Sequence, residues 1–152
     1  MEHLNQKIYH NINFINRSEN LGKLFSSDYK MAFKNYNNEE VIKIIDEFDY
    51  NAAFVKRDNF FKIAEKLGPD TFQFHIILRD GIAEFVFNFK KNNIPILDYC
   101  GSWAAICYKL GHNYPIKKPV FLNYNDLRAI LKEAFSIYED FKKELIFQEK
   151  IS

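Results

Sequence analysis

The stretch "TFQFHIILRDGIAEFVFNF", running from Thr71 to Phe89, constrains the fold more than any other part of the chain. Its apolar residues recur at every second position, the period of a strand and not of a helix. Asp80–Gly81 stands in the middle. A type I′ turn needs positive φ at both central positions, and Asp-Gly supplies this at little steric cost. A two-residue turn there sets Leu78 opposite Ala83, Ile76 opposite Phe85, Phe74 opposite Phe87 and Phe72 opposite Phe89. Every pair on that face is apolar. The other face sets Gln73 opposite Asn88, His75 opposite Val86 and Ile77 opposite Glu84. Turn chemistry and face pattern select one register, because a slip by a single residue would turn every Phe of the set outward.

The other strong periodicities are helical. Leu4, Ile8, Ile12 and Ile15 have helical spacing, and "SSDYKMAF" predicts a short helix from Ser27 with Asp28 in its first turn. Asn37 is a cap for a helix that buries Val41, Ile44, Ile45 and Phe48, and Glu40 stands where a capping-box acid belongs. "DNFFKIAEKLGP" predicts a further helix, capped by Asp58, burying Phe60, Ile63, Ala64 and Leu67, and stopped by Gly68 and Pro69. A long helix begins at Asn125 as its cap and carries the stripe Leu127, Ile130, Leu131, Ala134, Ile137, Tyr138, Phe141 and Leu145. Val120–Leu122 is a short strand that joins the hairpin, and Pro95 confines Ile94–Leu97 to an edge or a loop. The expectation is a single α+β domain over 1–152. About five helices pack on a small antiparallel sheet centred on the 71–89 hairpin.

A chain of 152 residues buries roughly 68–70% of its unfolded surface, enough for one core without a staple. The net charge of +1 gives no field for a polyanion, and Arg17, Arg57, Arg79 and Arg128 are the only arginines, so nucleic acid is not an expected partner. No run approaches 18 apolar residues, and the opening "MEHLNQKIYHNINF" is polar, so neither a membrane span nor a cleavable leader is expected. Two cysteines do not make a disulfide framework, which points to a reducing cytoplasm.

Both cysteines and the one tryptophan fall in "DYCGSWAAICYKLG", Asp98–Gly111. "CGSWA" is similar to the papain-type signature, but the reactive position between Ser and Trp is missing and the last histidine is His112. Read as a helix from Asp98 to Leu110, the segment separates Cys100 and Cys107 by about 10 Å along the axis, too far for a disulfide or a shared metal. Trp103, Ile106, Cys107 and Leu110 then form a buried stripe, with Asp98 as cap. His3, His10 and His112 have no ligand spacing, and no glycine-rich phosphate loop is present. No catalytic residue, metal or cofactor is expected from these patterns. His75 with Glu84, or one of the thiols, is the constellation an alternative enzymatic reading would use; a structural subunit of a larger assembly is the other alternative.

"NEEVIKIIDEFD" sets Glu39, Glu40, Asp46, Glu47 and Asp49 against one lysine, and Tyr36 and Tyr50 flank it. "RDGIAEFVFNF" and "LKEAFSIYEDFKKELI" resemble segments of the small immunity proteins of bacterial contact-dependent inhibition and other polymorphic toxin systems. The resemblance implies a non-catalytic protein inhibitor. It would act as a monomer in a heterodimer with a cognate toxin domain, often a nuclease, whose active site or essential surface it occludes. The five acids would then imitate phosphates, and Tyr36 and Tyr50 would serve as aromatic anchors.

Overall fold

The computed structural model describes residues 4–151, with side chains over 6–150. His3 and the side chain of Leu4 lie outside the described residues. Among the described residues the chain forms five α-helices and a six-stranded antiparallel sheet, an α+β fold. The helices are α1 (Leu4–Asn11), α2 (Phe14–Leu24), α3 (Asn38–Glu47), α4 (Trp103–Lys109) and α5 (Tyr124–Ile151). The strands are β1 (Ala52–Val55), β2 (Phe60–Leu67), β3 (Asp70–Arg79), β4 (Ile82–Lys91), β5 (Ile94–Pro95) and β6 (Gly101–Ser102). The first five strands are neighbours in chain order, and β6 also pairs with β4. No helix among the described residues is long and apolar enough to cross a membrane.

The β3–β4 hairpin has the register expected from its turn: Leu78 faces Ala83, Ile76 faces Phe85, Phe74 faces Phe87 and Phe72 faces Phe89. Asp80 and Gly81 have φ of 54° and 82°, the left-handed values a type I′ turn demands. All eight residues of that face are 2% exposed or less. Each buried Phe removes enough apolar surface to contribute about 2–3 kcal/mol. They are covered by α5, whose eight predicted stripe residues, Leu127 to Leu145, are all fully buried. Phe141 stacks on Phe87 at 4.3 Å and Tyr138 on Phe74 at 4.8 Å. From α4, Trp103 closes against Phe85 at 4.6 Å, and from α2, Phe14 reaches Phe87 at 6.0 Å. The fold is thus two layers, sheet and helices, around an aromatic core.

Four expectations are corrected. Residues 58–68 are not a helix: they form β2 and its turns. Phe61 and Ile63 face the core and pair with Ile76 and Phe74, while Phe60, Lys62 and Ala64 face outward. Phe60, Ile63, Ala64 and Leu67 satisfy a helical period, but Phe61 and Ile63 equally satisfy a period of two, and the open edge of β3 offers a full hydrogen-bond ladder. Gly68–Pro69 is the turn of a second hairpin, since Leu67 faces Asp70 and Gly68 has φ of 61°. Asp58 caps nothing helical.

The 98–110 segment is likewise not one helix. A 3-10 turn at Leu97–Tyr99 and strand β6 precede α4, whose cap is Ser102 and not Asp98: Ala105 N donates to Ser102 Oγ at 3.2 Å. Gly101, at φ of 141°, marks the break. The cap of α5 is Asn123 rather than Asn125. Asn123 Oδ1 accepts from Asp126 N at 2.8 Å, and Asp126 Oδ2 in turn accepts from Leu122 N at 2.9 Å. Asn125 lies inside the first turn and accepts from Arg128. At α3, Asn37 caps as expected, accepting from Glu39 N at 2.7 Å, but Glu40 does not close a capping box. Asn37 N donates to Tyr124 Oη instead, at 2.8 Å.

The remaining elements are close to expectation. The helical spacing near the start ends at Asn13, whose φ of 57° separates α1 from α2. The segment after Ser27 is only a 3-10 turn, Tyr29–Met31, capped by Asp28. Val120 makes a single antiparallel bridge to Ile82, and β5 is a two-residue edge strand on β4.

Between α4 and α5 the irregular strap 112–119 runs back across α2. Its path depends on Gly22, in the middle of α2. A Cβ built there would lie 1.9 Å from Lys117 O, a backbone atom that cannot swing away. In an isolated helix, Gly→Ala is stabilising by up to about 1 kcal/mol. Here Gly22→Ala is expected to reverse that sign and destabilise by about 1–3 kcal/mol, as overpacking does. Urea denaturation of the variant measures it.

Candidate functional site

The acidic candidates cluster on α3 and the turn after it. Val41, Ile44 and Ile45 are buried, which turns the opposite face to solvent. At 100° per residue, Glu39, Glu40, Lys43, Asp46 and Glu47 fall within an arc of about 120°. Glu39, Glu40, Asp46, Glu47 and Asp49 are all exposed. The structure therefore brings Glu39, Glu40, Asp46 and Glu47 together on one helix face, with Asp49 exposed just past its end. Asp49 has φ of 65°, and its N–H closes the helix end on Asp46 O at 3.0 Å.

The five differ in electrostatic partners. Glu40 pairs with Lys43 at 3.1 Å. Glu47 receives both arms of Arg128 from α5, Nε at 2.7 Å and a terminal nitrogen at 3.0 Å. That hydrogen-bonded guanidinium holds the Glu47 carboxyl below its ordinary range and raises Arg128 in return. Glu39, Asp46 and Asp49 have no ion pair among the described residues.

Tyr36 and Tyr50 flank this surface half-buried. Tyr36 Oη donates to Leu78 O at 2.5 Å, and its ring meets Phe121 edge-on. Burial raises its pKa. Tyr50 stacks on Phe135 at 4.3 Å and donates to the Glu139 carboxylate; burial and that carboxylate push its pKa well up. Both hydroxyls are engaged inside the molecule, so what remains for a partner is the smaller, exposed part of each residue. Glu139 belongs to a network the sequence reading missed. Lys142, only 9% exposed, bridges Glu139 at 2.8 Å and Glu65 at 2.7 Å and lies over the Tyr138 ring at 4.5 Å. Tyr138 Oη completes it with a 2.6 Å bond to Glu65. The i, i+4 spacing of Tyr138 and Lys142 was its only local trace.

His75 lies on the outer face of the sheet, with its ring 4.5 Å from that of Phe60 and its Nε2 3.2 Å from Gln73 Oε1. Glu84, its companion in the enzymatic alternative, pairs with Lys118 at 3.1 Å. Burial, aided by Lys62, lowers the His75 pKa from 6.5 to about 4. Cys107 is fully buried, and burial raises its thiol to about 11 against a smaller opposing pull from the Ser18 hydroxyl. Cys100 is half-buried off the helix, with Sγ 3.3 Å from both Phe89 N and Ile96 O. Among the described residues no three His, Cys, Asp or Glu side chains are grouped to hold a metal. Comparison with protein-family models, curated proteins and solved structures finds no match to this chain.

Two measurements follow from this geometry. The unfolded chain protonates His75 near pH 6.5 and the folded protein only near 4, so folding stability falls as pH drops through that window. His75→Gln is expected to flatten this part of the stability–pH curve, measured by urea denaturation at fixed pH steps. Labelling with a disulfide reagent at neutral pH is expected to leave Cys107 unmodified in the folded protein and to modify both thiols after denaturation.

Proposed function

We propose that this chain is a non-catalytic binding protein that neutralises a basic partner, acting in the cytoplasm in the manner of a small bacterial immunity protein. The partner is a toxin domain, a nuclease by preference, and the complex is a one-to-one heterodimer. The observation that supports this is where the α3 acids stand. A helix C-terminus carries partial negative charge and favours cations. The last turn of α3 holds no basic residue and ends in Asp46 and Glu47, with Asp49 just beyond. Arg128 offsets only Glu47. Asp46 and Asp49 thus oppose the local electrostatics of folding, and such local conflicts are expected where a surface serves recognition.

A basic phosphate-binding cleft is the complement of this surface. Glu39 and Asp46, seven residues apart on one stripe, lie about 10 Å apart along the helix, a spacing that lets them meet separate cations. Tyr36 and Tyr50, before and after the helix, add partly exposed aromatic area at the rim.

The test is co-expression with the product of the neighbouring reading frame, followed by calorimetry. Asp46→Lys is expected to raise Tm by about 1–2 °C, because it suits the helix dipole. The same variant combined with Glu39→Lys and Asp49→Asn is expected to weaken binding at least tenfold. Full affinity in the triple variant would remove α3 from the interface, and failure of the neighbouring product to bind would sink the inhibitor reading.

A further inference from the structure

Among the described residues four buried side-chain polar atoms have no hydrogen-bond partner; Asp70 Oδ1 and His112 Nε2 face ion-pair partners, Lys91 and Glu19, and the other two belong to residues that line one pocket. Ser18 on α2 is 3% exposed and Trp103 on α4 is 6% exposed; neither Ser18 Oγ nor Trp103 Nε1 meets a protein donor or acceptor. The Cys107 thiol is near enough to feel the Ser18 hydroxyl but lies outside hydrogen-bonding geometry. Orphaned buried polar groups are rare in folded proteins, and each needs an explanation. Two at one pocket have a common one.

The pocket is partly open to solvent and holds about 30 Å³ of space for a water-sized occupant. Leu21, Phe85 and Ile116 are among its apolar walls, and the strap residues Lys117–Pro119 roof it. The strap is held at three points. Lys117 O sits directly on Gly22, Val120 N donates to Phe25 O at 2.8 Å, and Ala83 N donates to Pro119 O at 3.0 Å. An indole N–H only donates, whereas a hydroxyl donates and accepts. The occupant therefore needs a lone pair for Trp103 and either role toward Ser18. The volume admits one water-sized molecule and excludes an aromatic ring.

We propose that this cavity is a binding site for a single oxygen ligand of water size, which accepts the Trp103 indole N–H, bonds the Ser18 hydroxyl, and ties α2 to α4 beneath the strap. Solvent water and a one-carbon alcohol share this chemistry. An apolar gas or hydrocarbon does not, because it would leave both groups orphaned.

Trp103 is the only tryptophan, so its indole N–H gives one unambiguous NMR resonance. The probes are water itself and methanol. A water cross-peak to the indole proton that methanol leaves unchanged identifies resident solvent. A saturable shift with methanol, absent with tert-butanol, identifies an exchangeable small-alcohol site. Either result supports the proposal. Ser18→Ala supplies a sign test on stability. A hydroxyl bonded to a bound oxygen makes the variant less stable, with Tm lower by about 2–4 °C. An orphaned hydroxyl makes it as stable or more so, because a buried unsatisfied group is removed. No cross-peak and no methanol response, together with an unchanged or raised Tm in Ser18→Ala, overturns the proposal.

Discussion

The architecture depends on the register of one hairpin. Asp80 and Gly81 adopt left-handed φ, and this sets Phe72, Phe74, Phe85, Phe87 and Phe89 on a single face. Side chains alternate across a strand, so a slip of one residue would present His75, Ile77 and Val86 to the helices instead. Phe74 then would not meet Tyr138, Phe135 or Trp103, and Phe87 would not meet Phe141. Helices α2, α4 and α5 all meet the sheet through these rings. Gly81 is also held by its surroundings: a Cβ there would come within 2.6 Å of Ala32 Cβ, so the turn is packed as well as bent.

What was legible in the sequence was what local period and turn chemistry decide alone. The β3–β4 register, the stripe of α5, the Asn37 cap and the exposure of the α3 acids all follow from residues within one element. Positions 60–67 were illegible because two periods fit them. Only the neighbouring edge of β3, supplied from elsewhere in the chain, decides for a strand. Gly68–Pro69 stops a helix and turns a hairpin equally well. The second left-handed pair, Asn92–Asn93 between β4 and β5, carried a turn signal that would have decided between the edge strand and the loop expected at 94–97.

The candidate site divides in the same way. That Glu47 is neutralised is a fact about Arg128, 81 positions away, and no local rule could supply it. The inward turn of the Tyr36 and Tyr50 hydroxyls rests on Leu78 and Glu139, 42 and 89 positions away in the chain. The orphaned pair at Ser18 and Trp103 arises only once α2, α4 and the strap meet. Gly22 in "FINRSENLGKL" reads as a weak helix residue until the Lys117 carbonyl above it is known.

The contacts of α2 with α5 bear on how the chain is made. Arg17 reaches Glu133 at 3.1 Å and Asp140 at 2.7 Å, and Tyr9 of α1 stacks on Phe141. Helices α1 and α2, which precede the sheet in the chain, are thus completed by α5, which follows it. Until α5 emerges from the ribosome, the phenylalanine face of the sheet has only Phe14 of α2 and Trp103 of α4 against it and lacks the stacked rings of Phe141 and Tyr138. During that interval the nascent chain is a client for chaperones, and a stall in translation between residues 110 and 124 would leave its most adhesive surface only partly covered.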